Sequence, residues 1–248
     1  MLNPNFNKYY KIAYKFKDNS TDLDVKILEQ ELKLIKNDNI IDIGCGYGRV
    51  SNCLIDGGYT VSGIDYSEDF INEAKENSNG NEDYVLGDFT NLKNYFKINS
   101  FDKVYSMYSS LGHTIREDDE NVFRGISSIL KKGGLFLFEY ENYVFHIQNK
   151  NLFKHDYYDI DGEYRRILDI KVNGIKSSIN IGNEFWDIKN EKLLDKWSFD
   201  LILYSYYEII QLGKKYGLEL VKLRGRLSEN EVYWNEPQAI FVFKKISN

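Results

Sequence analysis

The chain has 248 residues, and its content of 42% hydrophobic and 28% charged residues is typical of a globular protein with a substantial core. The net charge of −6 argues against broad binding to nucleic acid or to an anionic membrane surface. Two cysteines, Cys45 and Cys53, are too few for a disulfide framework or a zinc site. The opening residues lack the apolar core of a signal peptide, and no apolar run is long enough to span a bilayer, so we expect a cytoplasmic protein without a membrane partner.

Two helices are predicted before the first strand. The first lies within the aromatic and basic residues 5–17, where Tyr10 and Ala13 recur at helical spacing. The second covers residues 22–36 and ends at the polar residues that follow. Its predicted buried face consists of Val25, Leu28, Leu32 and Ile35.

Residues 39–55 predict a buried strand, a glycine-rich turn and a helix. Asp42 lies near the end of the strand, and the turn contains Gly44, Gly46 and Gly48. Glycine tolerates positive φ and has no Cβ, so the backbone can turn sharply and lie against a ligand. The helix that follows offers free N–H groups and the positive end of its dipole. At the carboxyl edge of a parallel sheet, such a turn commonly binds a nucleotide-like cofactor.

The next two predicted strands each end in an acidic residue. Residues 59–65 end at Asp65, whose carboxylate can accept hydrogen bonds from both hydroxyls of a ribose at the same crevice. Tyr66 follows it. Residues 82–86 lead to Gly87, Asp88 and Phe89. An ordinary role as a turn or capping acid remains an alternative for both aspartates.

Asp42, the three glycines and Asp65 together resemble the first motifs of the class I methyltransferases that depend on S-adenosyl-L-methionine (SAM). The resemblance implies a Rossmann-like α/β fold, a seven-stranded mainly parallel sheet, SAM as cofactor and S-adenosyl-L-homocysteine (SAH) as product. Dinucleotide dehydrogenases are the nearest alternative. Their fingerprint has two residues before the third glycine, where this chain has one, and does not need Asp42.

The resemblance also assigns residues to the cofactor. In that family an N-terminal Tyr-x-x-x-Ala segment folds over the cofactor, and an acid after the third strand contacts the adenine amino group beside an apolar neighbour. For the segment around Tyr10, an amphipathic helix packed on the domain is an equal alternative. The residues predicted to bind SAM are Tyr10, Asp42, Gly44, Cys45, Gly46, Asp65, Tyr66, Asp88, Phe89 and Met107.

The fourth predicted strand, residues 101–108, leads into Tyr108-Ser109-Ser110-Leu111-Gly112-His113. This run resembles sugar-amine N,N-dimethyltransferases that act on nucleotide-linked deoxyamino sugars, and the resemblance places His113 near the transferred methyl group. A histidine of near-neutral pKa is suited to taking a proton from an amine or a hydroxyl. Alternatively, His113 only orients the substrate or binds nothing, because an amine can lose its proton to solvent and placement alone supplies much of the rate.

A helix over residues 117–131 and a central strand over 135–139 precede a segment of different character. Asp-Gly and Asn-Gly pairs there indicate hairpins. The predicted antiparallel strands are 152–160, 163–172, 175–187 and 192–203. The resemblance implies a cap that shapes the acceptor pocket, with Tyr108, Tyr140 and Trp186 as substrate-binding residues. Arg165-Arg166 either holds a substrate phosphate or places one arginine outside and packs the other.

Ser205 and Glu208 form a capping-box pattern that opens a helix over residues 207–216. A final hairpin, 218–224 with 238–244, resembles the family's ending, in which the seventh strand is antiparallel to the others. We therefore expect a SAM-binding domain of residues 1–142 and 205–248, and an antiparallel cap of residues 143–204 inserted after the fifth strand.

The predicted function is SAM-dependent transfer of a methyl group to an N or O nucleophile of a small molecule. The alternatives are an RNA or protein methyltransferase and a non-catalytic SAM-binding regulatory protein. The acidic charge and the absence of a basic stripe count against RNA. No cluster of metal ligands is evident, so no metal is predicted. The sequence does not identify the acceptor or the oligomeric state.

Overall fold

Strands and helices alternate through most of the computed structural model, which describes residues 8–79, 83–108, 110–113, 115–149, 154–228 and 236–247. The strands are β1 (Asn39–Ile43), β2 (Thr60–Asp65), β3 (Tyr84–Leu86), β4 (Phe101–Ser106), β5 (Leu130–Glu141), β6 (Lys154–Ile160), β7 (Tyr164–Asn173), β8 (Ser178–Asp187), β9 (Lys192–Ile202), β10 (Leu218–Gly225) and β11 (Gln238–Lys245). The α-helices are α1 (Lys8–Ala13), α2 (Thr21–Leu32), α3 (Arg49–Asp56), α4 (Glu68–Glu76), α5 (Arg116–Ile129), α6 (Tyr143–Gln148) and α7 (Tyr206–Lys215). Short 3₁₀ helices cover Lys15–Ser20 and Phe89–Asn94.

Seven strands form one mixed sheet in the order β10-β11-β5-β4-β1-β2-β3. Strands β1 to β5 are parallel, and β11 is antiparallel to both of its neighbours. The predicted fold, including an antiparallel final strand, is confirmed. Because the carboxyl ends of β1, β2 and β4 lie at one edge, the residues that follow these strands meet there.

Apolar side chains cover both faces of this sheet. On one face Phe123 of α5 packs edge-on against Phe136 and Phe138 of β5, with ring centroids 5.7 Å apart in both pairs. On the other face Leu28 of α2 joins the cluster that contains Leu137. Strand β5 is therefore buried on both sides, as expected for a central strand of such a sheet.

The predicted antiparallel strands form a second sheet in the order β6-β7-β8-β9. Side chains alternate between its two faces, and residues that pair across strands share a face. Arg166 of β7 pairs with Phe185 of β8, and Asn183 of β8 pairs with Trp197 of β9. These four side chains are buried. They define the inner face of the second sheet, which packs against α1, where Tyr9 lies 5.6 Å from Phe185.

Two local features differ from the sequence-based expectations. Helix α2 ends at Leu32 because Lys33 adopts the left-handed conformation with φ of 51°, so Ile35 is 62% exposed instead of buried. Helix α6 follows β5 directly. It begins because the Asn142 side chain accepts hydrogen bonds from the N–H groups of Val144 and Phe145. Residues 82 and 152–153, which were predicted to lie in strands, are outside the described residues.

No helix in the described ranges combines the length and the apolar character needed to cross a membrane.

Candidate functional site

The glycine turn after β1 has the backbone conformation that its sequence predicts. Gly44, Gly46 and Gly48 have φ values of 77°, 55° and 78°. A Cβ on Gly44 would lie 2.4 Å from Oγ of Ser110, whereas one on Gly46 would meet no atom within 4 Å. Gly44 therefore permits a close approach between two loops, and Gly46 borders open space where a ligand could lie against the backbone.

Asp65 at the end of β2 connects the turn to the next helix. Its Oδ2 accepts a hydrogen bond from the Gly46 N–H (3.0 Å), and its Oδ1 accepts one from the Ser67 N–H (2.9 Å). Burial raises the pKa of Asp65, and these backbone hydrogen bonds oppose the increase. The carboxylate therefore faces the same crevice as the glycines.

Asp42 is buried behind the turn. The Ser51 hydroxyl donates to Asp42 Oδ2 (2.7 Å) and lies 3.0 Å from the Tyr105 hydroxyl. Burial is the main cause of a pKa that rises to about 7, and the hydrogen bond from Ser51 opposes it. Asp42 therefore changes its charge near neutral pH, unlike an ordinary aspartate.

The turn and the ends of β2 and β4 enclose a first cavity of about 180 Å³. Part of its wall is apolar and is formed by Phe89, Met107, Leu111 and Val122. Residues of the SAM prediction that line it are Tyr10, Asp42, Gly44, Cys45, Gly46, Asp65, Tyr66, Phe89 and Met107. Among the described residues, the lining of this cavity thus combines apolar side chains with four carboxylates, those of Asp42, Asp65, Asp118 and Asp119.

Tyr10 brings the N-terminal helix to the first cavity. Its ring centroid lies 6.4 Å from that of Phe70 and 6.4 Å from that of Trp197. Burial is the main cause of the raised pKa of the Tyr10 hydroxyl, and the Asp65 carboxylate contributes to it. Helix α1 therefore lies between the glycine-turn region and the second sheet.

A second cavity of about 1190 Å³ lies between the carboxyl edge of the main sheet and the second sheet. Among the described residues, four border both cavities: Tyr10, Tyr14, Tyr108 and His113. The His113 ring lies 5.1 Å from the ring of Phe199 on the inner face of β9. The predicted base candidate is thus located where the two cavities meet.

Three predicted site residues line neither cavity. The Asp88 carboxylate accepts a hydrogen bond from the Thr90 N–H (2.9 Å) and caps a short 3₁₀ helix. Tyr140 is fully buried, and its hydroxyl donates to the Ile202 carbonyl. Trp186 neighbours the inward Phe185 and so lies on the opposite face of β8, where its indole N–H donates to Glu184 (3.2 Å).

Tyr108 contacts a cluster of charged residues that the sequence analysis did not predict. Arg226 contacts the carboxylates of Asp24 and Glu139 and donates to the Tyr108 hydroxyl (2.9 Å). That hydroxyl donates in turn to Asp24 Oδ2 (2.6 Å), and Arg49 pairs with the same carboxylate (2.8 Å). Because the buried charges are paired, the cluster can hold Tyr108, whose φ is 59°, in the left-handed region.

Two further groups of the second cavity come from the unpredicted helix α6 and the end of β5. Nε2 of His146 lies 2.7 Å from Oε2 of Glu141. Both residues border the second cavity. The signal that could have located them is the N-capping Asn142, which turns the chain immediately after β5. In the described ranges, no group of three or more His, Cys, Asp or Glu residues is arranged to hold a metal ion.

Residues 40–134 match the model of a methyltransferase domain family. The ubiquinone biosynthesis O-methyltransferase of Coxiella burnetii is 31% identical over 117 residues, which cover 46% of this chain and 47% of that relative. An uncharacterized methyltransferase of Schizosaccharomyces pombe is 32% identical over 118 residues, covering 46% and 44% respectively. The chain thus matches less than half of the length of these relatives.

Solved structures match almost the whole chain at low identity. A SAM-dependent methyltransferase from Clostridium acetobutylicum gives a TM-score of 0.78 at 19% identity, covering 96% of this chain and 99% of that one. An amino pentose methyltransferase from Micromonospora echinaspora, solved with SAM bound, gives 0.71 at 14% identity, covering 97% and 98%. Residues 40–134 thus match a methyltransferase domain, and the whole chain has the fold of the class I methyltransferases, for which SAM is the methyl donor.

Proposed function

We propose that this protein transfers a methyl group from SAM to a nitrogen or oxygen nucleophile of a small molecule. The observation that carries the proposal is the junction of the two cavities. The first cavity contains the glycine turn and Asp65, and the second provides separate space for an acceptor. Donor and acceptor would therefore approach each other at the border formed by Tyr10, Tyr14, Tyr108 and His113.

The residues of the first cavity fit SAM. Asp65 would hold the ribose hydroxyls with the lone pairs that remain beside its two backbone hydrogen bonds. Phe89 and Met107 would flank the adenine, and the open backbone at Gly46 would admit the amino acid part. Asp42 would face the ammonium group. When bound, SAM supplies a methyl group on a sulfonium that is already activated for attack.

The protein's task is then to orient the acceptor and to exclude water. We assign the second cavity to the acceptor, and residues 143–204 to a cap that shapes it. Of the predicted acceptor residues, Tyr108 borders this cavity, and we exclude Tyr140 and Trp186 from the proposed site because neither lines it. Holding the nucleophile in line with the methyl group can supply a large part of the rate. Relatives named as O-methyltransferases and as amino pentose methyltransferases support both kinds of nucleophile.

His113 is the proposed general base. Its ring borders both cavities and packs on Phe199, which restricts its orientation. One imidazole nitrogen would take the proton from the acceptor amine or hydroxyl as the new bond forms. Such a proton transfer typically contributes a factor of roughly 10² to 10⁴ in rate.

Isothermal titration calorimetry with SAM and with NAD, followed by assays of SAH formation on a panel of amines and hydroxylated small molecules, tests the proposal. We expect binding heat with SAM but not with NAD, and methylation of at least one compound of the panel. His113→Gln should lower kcat roughly 10²-fold or more while leaving the Kd for SAM unchanged. Binding of NAD without SAM would refute the proposed cofactor, and an unchanged kcat would refute His113 as the base. SAM binding without transfer to any small molecule would favour the regulatory alternative.

A further inference from the structure

Arg166 is a buried cation in the wall of the second cavity. It lies on the inner face of β7, pairs in register with Tyr158 and Phe185, and is only 4% exposed. Its neighbour Arg165 lies on the other face of the same strand and forms an ion pair with Asp159 (2.7 Å). The two consecutive arginines therefore occupy opposite environments.

The contacts of Arg166 are with uncharged groups. Its Nε donates to Oδ1 of Asn183 (2.8 Å), and its Nη2 donates to the Tyr14 hydroxyl (2.7 Å). The guanidinium also lies 4.1 Å from the centre of the Tyr14 ring. Burial raises the pKa of Tyr14 above its ordinary value of 10.0, so that hydroxyl is neutral at pH 7 and does not balance the charge.

A second arginine in the wall of this cavity, Arg226, has different partners from Arg166. Arg226 contacts the carboxylates of both Asp24 and Glu139. For Arg166, the described residues provide no carboxylate within ion-pair distance, and Nη1 makes no hydrogen bond to them. Removing a cation from water without an anionic partner costs several kcal/mol, so a buried guanidinium is normally paired.

We propose that the second cavity binds an anionic oxygen group, a carboxylate or a phosphate, through Arg166. The planar guanidinium suits both groups, because its N–H donors match the spacing of two oxygens on one atom. Taken with the proposed function, the acceptor then carries an anion as well as its nucleophile. Arg166 would hold the anion at the cavity wall, while the nucleophile reaches the border at Tyr108 and His113.

Anion binding can be tested without methyl transfer. Thermal unfolding is measured in inorganic phosphate and in acetate, each against sodium chloride at equal ionic strength. We expect both anions to raise Tm in the wild type and in the Arg165→Gln variant, and to raise it much less in Arg166→Gln. The Arg165 variant is a matched control, because salts that stabilise proteins in general would affect both variants equally. Equal shifts in both variants, or no shift in the wild type, would overturn the proposal.

The Arg166→Lys variant covers the case in which Arg166→Gln does not fold. Lysine keeps the positive charge but lacks the planar fork, so the anion-dependent shift should fall to a fraction of the wild-type value. A shift as large as that of the wild type would overturn the assignment of bidentate binding to Arg166. The wild-type measurement is informative in either case, since an absent shift is decisive without any variant.

Pairs of acceptors that differ in an anionic group test whether the anion site contributes to catalysis and whether it prefers a carboxylate or a phosphate. The pairs are amino acids with their amides, and amino sugars with their phosphate esters. We expect kcat/KM to favour the anionic member of one pair type by about 10-fold or more in the wild type and in Arg165→Gln. Arg166→Gln should lose this preference. Methyl transfer without a preference for the anionic acceptor would overturn the inference but leave the proposed function intact. If no acceptor is methylated, the proposed function fails, and the thermal measurement decides whether the anion site exists.

Discussion

Asp65 shows how one side chain can organise the proposed cofactor site. Its two oxygens accept N–H groups from Gly46 and Ser67, so it connects the glycine turn to the start of α4. These hydrogen bonds offset part of the cost of burying the carboxylate, and the side chain borders the first cavity. The same carboxylate can therefore hold the turn in place and bind the ligand.

Replacing Asp65 by Ala should weaken SAM binding by roughly 100-fold or more, because it removes two hydrogen bonds to a charged group, each worth about 1.5 to 3 kcal/mol. The loss should appear in the Kd from calorimetry, in a variant whose circular dichroism spectrum shows that it is folded. An unchanged Kd would refute the ribose role.

Asp69→Asn is the matched control for that measurement. Asp69 is an exposed acid in the first turn of α4, four residues after Asp65. Its replacement by Asn removes the same charge from the same region. Screened, exposed charges contribute little, so its SAM affinity should equal that of the wild type. If both variants weaken binding equally, long-range charge rather than contact with Asp65 is the cause.

At the scale of elements, the features that the sequence predicted correctly depend on residues close together in the chain. The turn at Gly44 needs positive φ, and the capping box at Ser205 needs only three residues of spacing, so both follow from short motifs. The face on which Trp186 lies depends on strand register, which one residue of slip would reverse. Its position could therefore not be predicted from composition. The contact of Tyr14 with Arg166 joins residues 152 positions apart and has no local signal.

The capping box of α7 permits a prediction about stability. The Ser205 hydroxyl accepts the Glu208 N–H (3.3 Å), and the Glu208 carboxylate accepts the Ser205 N–H (2.8 Å). Ser205→Ala should lower the free energy of unfolding by about 1 kcal/mol. Urea denaturation measures this loss. SAM affinity should not change, because neither residue borders either cavity.

Ser205→Thr is the control for the capping hydroxyl. Threonine retains a hydroxyl that can accept the same N–H, so its unfolding free energy should stay within about 0.5 kcal/mol of the wild type. A loss as large as that of the alanine variant would show that packing, rather than the cap, determines the effect.

At the scale of the whole molecule, the main sheet, the second sheet and α1 depend on one another. Tyr14 contacts Arg166 of the second sheet, and Tyr10 reaches both Phe70 of α4 and Trp197 of β9. The residues at the border between the two cavities therefore come from the N-terminal segment and from the loop after β4, and the second sheet packs against them. Catalysis at this border would require all three to be in place.

The buried acids of this assembly predict how its stability varies with pH. Burial raises the folded-state pKa of Asp42 to about 7, and it also raises the pKa values of Asp65 and Asp119. Between pH 5 and 7 the folded protein therefore retains protons that the unfolded chain, with ordinary aspartate pKa values, has released. Stability should decrease as pH rises through this window, because the folded state binds more protons than the unfolded one.

Asp42→Asn isolates the contribution of Asp42 to this dependence. The amide oxygen can still accept the hydrogen bond from Ser51, but the side chain no longer titrates. When the pH rises from 5 to 7, the free energy of unfolding of the wild type should fall by on the order of 2 kcal/mol relative to that of the variant. Urea denaturation of the ligand-free proteins at both pH values gives this difference. If the two proteins differ by the same amount at pH 5 and at pH 7, Asp42 does not titrate in this window, and the pH dependence of stability must arise from other groups.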